Sequence, residues 1–149
     1  MAFVMAAVPA LACTLARADG ALLGAVGLQL AWRTEPAMPI QGQPFVLFLR
    51  TCPANAALLK VDAQMPEHRH GMNYKPAIQA LGNGRWRVEG LLWHMSGRWE
   101  WRFDVRSSTS SSPGANTGTG TRTSTSTSTS TSTSSDAPVQ TLRASVQLP

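Results

Sequence analysis

Residues 98–105, Arg98-Trp99-Glu100-Trp101-Arg102-Phe103-Asp104-Val105, alternate without a break. Trp99, Trp101, Phe103 and Val105 fall on one side, and Arg98, Glu100, Arg102 and Asp104 on the other. A period of two is the mark of a strand with one face in a core and the other in water. The same pattern recurs in both directions from this stretch. Downstream, residues 139–148 (VQTLRASVQL) place Leu142, Ala144, Val146 and Leu148 on one face and read as the last strand. Upstream, Leu28, Leu30 and Trp32 alternate with Gln29, Ala31 and Arg33, Phe45 to Arg50 is a short apolar run, and Leu59, Val61 and Ala63 alternate with Lys60, Asp62 and Gln64. Ala77 to Leu81 and Trp86 to Leu91 flank Gly82-Asn83-Gly84, a turn whose residues accept positive φ and so favour a hairpin. No segment carries a helical period of useful length. About seven short strands predict an all-β fold, a single antiparallel β-sandwich, with five tryptophans as filler between the sheets.

Between the last two strands lies a segment, 107–135, made almost entirely of serine, threonine, glycine and proline, with Thr-Ser alternation from Thr123 to Ser134. It holds no large apolar residue and is expected to be a disordered Ser/Thr-rich loop before the last strand, inside the domain. Loop-closure entropy grows only logarithmically, so lengthening a hairpin loop to about thirty residues costs on the order of 1–2 kcal/mol.

At 149 residues the chain has room for one domain with a real core. Ala2 to Ala16 is an apolar run of secretory length, and Ala16-Arg17-Ala18 is a small-x-small cleavage site. Residues 1–18 therefore read as a signal peptide and 19–149 as the exported, periplasmic domain. The run lacks a preceding lysine or arginine and is too short to span a bilayer. A rival reading makes Cys13 a lipidated cysteine. After cleavage Cys52 would stand alone, as a small buried hydrophobe with no internal disulfide. The formal charge of +5 is spread over scattered arginines with no basic block, which argues against nucleic acid as a partner.

Two short clusters carry the chemistry. Met65-Pro66-Glu67-His68-Arg69-His70-Gly71-Met72 concentrates two of the three histidines and two of the six methionines. His94-Met95 precedes a Ser96-Gly97 turn. Pro66 removes a ladder donor and Gly71 permits a bend, so the first cluster belongs at a strand end. His68 and His70, two apart, point the same way if the segment is extended. Imidazole with thioether is a soft-to-borderline donor set that suits copper, Cu(I) above all, and fits magnesium or calcium poorly. Zinc is less well served because no thiolate is present. Against this stands the ordinary role of methionine as gap filler and histidine as hydrogen-bonded brace.

These residues, together with Gly84-Arg85-Trp86-Arg87-Val88-Glu89-Gly90 and His94-Met95-Ser96-Gly97-Arg98-Trp99-Glu100, resemble the YtkA-like group of exported bacterial proteins, related to FixH-like domains. The resemblance covers about residues 28 to 105 and 139 to 148. It implies an immunoglobulin-like β-sandwich outside the cytoplasm and a link to copper handling or to assembly of respiratory haem-copper proteins. Periplasmic or membrane redox and copper proteins are the implied partners, and Met65, His68, His70, Met72, His94 and Met95 the implied metal ligands. The Ser/Thr tract and the lack of a membrane anchor depart from the pattern.

Two functions follow as expectations. One is a copper-binding accessory module. The other is a metal-free protein-interaction domain in which residues 65–72 brace the fold. An enzyme is not expected, because no nucleophile, base or carboxylate pair sits in a recognisable catalytic setting.

Overall fold

In the computed structural model, which describes residues 13–107 and 137–149, the chain is an all-β sandwich. A single 3-10 turn, Arg17–Asp19, precedes nine strands: β1 (Ala21–Ala25), β2 (Leu28–Glu35), β3 (Pro44–Cys52), β4 (Ala57–Met65), β5 (His70–Gly71), β6 (Ala77–Gly82), β7 (Arg85–Leu92), β8 (Gly97–Arg106) and β9 (Val139–Leu148). Every pairing is antiparallel. One sheet has the order β1-β2-β3-β7-β6 and the other β5-β4-β8-β9.

Seven of these strands are those expected from the sequence; β1 and β5 are additional. The sequence Ala-Leu-Leu-Gly-Ala of β1 has no alternation, and its residues are mostly exposed because β1 is an edge strand. β5 is two residues long, too short for any periodic signal. In β8 the expected face is fully realised: Trp99, Trp101, Phe103 and Val105 have no solvent exposure. Its ladder with β9 runs unbroken from Gly97 opposite Leu148 to Arg106 opposite Val139.

The core is dominated by rings. Trp93 lies 4.8 Å from Trp99 and 4.9 Å from Trp101, and Phe45 stacks on Trp93 at 5.2 Å. Rings of this size each bury about 150–250 Å² and pack in tilted or edge-on pairs. The Gly82-Asn83-Gly84 turn has φ of 84°, 53° and 70°, as its composition requires. Gly84 is also needed for space: a β-carbon there would stand 2.6 Å from the Thr51 carbonyl oxygen. The Thr51 N–H donates to the Gly84 carbonyl at 2.7 Å.

In the full chain the Cys52 sulfur is bonded to that of Cys13, which lies within the expected leader, with Cα atoms 5.6 Å apart. The bond forms because residues 13–19 fold back on the first sheet. The Leu15 N–H donates to Gln29 Oε1 at 3.1 Å, and Arg50 pairs with Asp19 at 2.6 Å. The Ala16 N–H and the Arg50 guanidinium hold the Asp19 carboxyl below its ordinary value. A cut before Asp19 would remove Cys13 and leave Cys52 as the one cysteine of the mature domain. Of the low-complexity tract only Ser107 is described. It is buried, with its hydroxyl 3.5 Å from Gln140 Nε2, and so belongs to the fold. The expected disorder of the rest, and the leader's first twelve residues, lie outside the described residues.

Candidate functional site

The antiparallel ladder decides which side chains of the 65–72 cluster meet. β4 ends at Met65, and residues 66–69 turn the chain back on itself. The His68 N–H closes the turn on the Met65 carbonyl at 3.3 Å, and Arg69 takes a left-handed conformation with φ of 53°. The segment is thus a turn at a strand end and not the extended run in which His68 and His70 would point the same way, because Pro66 ends the ladder and the chain reverses within four residues. β5 then pairs back on β4, with His70 opposite Met65 and Gly71 opposite Gln64. The pairing continues one step further, where the Met72 N–H donates to the Ala63 carbonyl at 3.0 Å.

Residues directly opposite in an antiparallel pair share a face, with β-carbons about 4.5–5.5 Å apart, and residues two apart on one strand share it too. Met65, His70 and Met72 therefore lie on one face, the face that Met65 buries at 2% exposure. His68 joins them across the turn: its ring stacks on that of His70 with centroids 6.5 Å apart and planes at 30°. Both histidines are exposed, while Met72 is half-buried against the core. The turn is held from β8 by Glu67, whose Oε1 is 3.3 Å from Arg98 Nε.

The second cluster reaches the same end of the sandwich. Residues 93–96 carry the chain from β7 in one sheet to β8 in the other, and the Trp99 indole N–H donates to the Met95 carbonyl at 3.1 Å. His94 sits edge-on to Trp99, centroids 5.1 Å apart, and its buried Nδ1 has no hydrogen-bond partner among the described residues. Met95 is partly exposed. The loop between β2 and β3 completes this end, with Gln41 Nε2 donating to the His94 carbonyl and the Gly42 N–H to the Trp93 carbonyl. Nothing in the sequence signalled the parts of Gln41, Gly42 or Arg98; their contacts join positions 31 to 53 residues apart.

The two clusters touch through Met65, whose terminal methyl lies against Gly97. The three histidines do not form one group: among the described residues no three of His, Cys, Asp and Glu are placed to hold one ion. The ladder puts Met65, His70 and Met72 on one face, and the turn sets the His68 ring beside that of His70. With a metal–nitrogen bond of about 2.0 Å, two imidazoles on one ion have centroids no more than about 6.3 Å apart. The observed separation, 6.5 Å, is slightly longer than this. The donor types match a soft ion.

Comparison of the chain with protein-family models, with curated proteins and with solved structures gives no match. No helix among the described residues is long and apolar enough to cross a membrane.

Proposed function

We propose that this chain is an exported, non-enzymatic accessory domain of the YtkA-like kind that holds copper at the 65–72 turn and serves a periplasmic or membrane haem-copper or copper-handling protein. The observation that carries the reading is the ladder pair of Met65 and His70, with Met72 on the same face and the His68 ring stacked beside it. Thioether and imidazole together favour Cu(I) over harder ions. His94 and Met95 stand at the neighbouring turn, outside this group. Export is supported by the apolar leader and by the Cys13–Cys52 disulfide, since such bonds persist in oxidising compartments. On this reading processing leaves Cys13 in the mature chain.

The bracing alternative has support of its own, in the buried Met65 and the Glu67–Arg98 pair. It does not explain why His68 and His70 are exposed, since a brace needs buried, bonded side chains. Anaerobic loading with Cu(I) and Cu(II), followed by metal counting, separates the two. One copper per chain in the wild type, lost in His68→Ala plus His70→Ala with unchanged circular dichroism, is expected. Equal substoichiometric copper in both proteins would leave only the brace.

A further inference from the structure

The outer face of the first sheet gathers arginines. Arg33 on β2 stands opposite Phe48 on β3, Phe48 opposite Arg87 on β7, and Arg50 on β3 opposite Arg85 on β7. Residues opposite one another on an antiparallel ladder share a face, as do residues two apart on one strand. All five side chains therefore leave the sheet on the side away from the buried Leu47, Leu49 and Val88. Like charges directly opposite each other, as Arg50 and Arg85 are, destabilise a ladder, and an anion set between them removes that cost. Arg87 has a partner in Glu89 at 2.6 Å and Arg50 one in Asp19, whereas Arg33 and Arg85 make no ion pair among the described residues.

A pocket of about 390 Å³ opens over these residues, lined by Arg33, Arg50 and Arg85 together with Asp19, Phe48 and Leu81. Its size is within the range of about 300–1,000 Å³ typical of pockets that take ligands. All three arginines are exposed, and the Arg50 side chain stays 49% exposed with Asp19 against it. The Arg33 guanidinium lies 4.7 Å from the centre of the Phe48 ring, a contact that uses none of its N–H donors. Asp19 is the one acid in the lining among the described residues; its Oδ1 accepts from Arg50 at 2.6 Å and its Oδ2 from the Ala16 N–H at 2.9 Å. One carboxylate thus already sits against one of three guanidiniums, and two positive charges are left unmatched.

We propose that this pocket binds a small organic phosphate monoester, its phosphate held by Arg33, Arg50 and Arg85 and its organic part lying against Phe48 and Leu81. Guanidinium N–H groups form a rigid fork that matches phosphate oxygens, which is why arginine is favoured at such sites. A phosphate monoester carries a charge of about −1.5 to −2 at neutral pH, close to the charge the pocket lacks. A lone carboxylate would leave half of it unmatched. Asp19 then acts as a built-in competitor for Arg50, and its carboxylate marks where an oxyanion is received. The pocket shares no residue with the 65–72 turn or with His94 and Met95, and stands whether or not the copper reading holds.

The probe is phenyl phosphate, titrated into the 15N-labelled chain at neutral pH and low salt. Saturable shifts at the Arg33, Phe48, Arg50 and Arg85 amides are expected, with inorganic phosphate binding more weakly and benzoate more weakly again. Arg33→Gln and Arg85→Gln change exposed side chains and should leave the circular dichroism as it is. Each should weaken binding about tenfold, a change of about 1.4 kcal/mol. Asp19→Asn removes the competitor and should tighten binding. No saturable shift, equal affinity in the wild type and the Arg85→Gln chain, or shifts spread equally over Arg98, Arg102 and Arg143 of the other sheet would overturn the proposal, the last by showing only general attraction to a basic protein.

Discussion

Met65 and Gly97 are in contact across the join of the two clusters: a β-carbon on Gly97 would stand 2.9 Å from the Met65 terminal methyl. Gly97 also has φ of 116°, a conformation that side chains rarely adopt. The methionine can swing away, but the backbone strain stays. Gly97→Ala is expected to cost about 1–3 kcal/mol, read from the urea midpoint at unchanged slope. Because Met65 must move, the variant should also bind copper more weakly than the wild type.

His94 provides a test of bracing. Its Nδ1 is buried without a partner among the described residues, so His94→Phe removes an unsatisfied polar atom and keeps the edge-on ring against Trp99. Stability should be unchanged or raised by up to about 1 kcal/mol. Copper counted in this variant should equal the wild type, since His94 is not grouped with His68 and His70. A loss of several kcal/mol would show that the imidazole itself supports the fold.

The disulfide makes a prediction about covalent state. Cys13 and Cys52 are 39 residues apart, and the chain-entropy estimate for closing a loop of that length is about 4 kcal/mol. Exported protein denatured without reductant should show no free thiol, and two after reduction. Cys52→Ser should lower the midpoint of unfolding by an amount up to that estimate. Its intact mass should still include Cys13.

Acid should loosen the N-terminal segment first. Asp19 is held below the ordinary 3.8 by the Ala16 N–H and by Arg50, so its contribution is complete above that value and is lost as pH falls through the lowered one. The carboxyl is accessible to solvent, and the effect is local. An NMR titration should find the Asp19 side chain titrating below pH 3.8, with the Leu15 and Ala16 amides changing in step. Arg50→Gln should move that titration upward.

Much of the fold was legible because burial on one face writes itself into alternation. In β8 every second residue from Trp99 to Val105 is a core residue, and in β9 Leu142 and Leu148 mark the buried side. β1 was illegible because an exposed edge strand needs no alternation, and β5 because two residues have no period. The candidate site was half legible. Composition drew attention to residues 65–72, and Pro66 set the end of β4. The reversal rests on Arg69 in a left-handed conformation, for which arginine gives no local signal. The separation of His94 from the other two histidines, and the pairing of Cys13 with Cys52, follow from long-range packing that no local pattern encodes.

The β8–β9 ladder has a consequence for how the molecule could be taken apart. Its ten registered pairs close at Arg106 and Val139, while the metal-ligand candidates lie toward the other end, near Gly97. The serine- and threonine-rich stretch therefore interrupts the chain where the interruption costs the sandwich least. A protein nicked within 108–136 keeps its last strand zipped in place by backbone pairing and by Leu142 and Leu148 in the core. In effect β9 is a detachable tenon, and the domain is a natural candidate for complementation from two fragments.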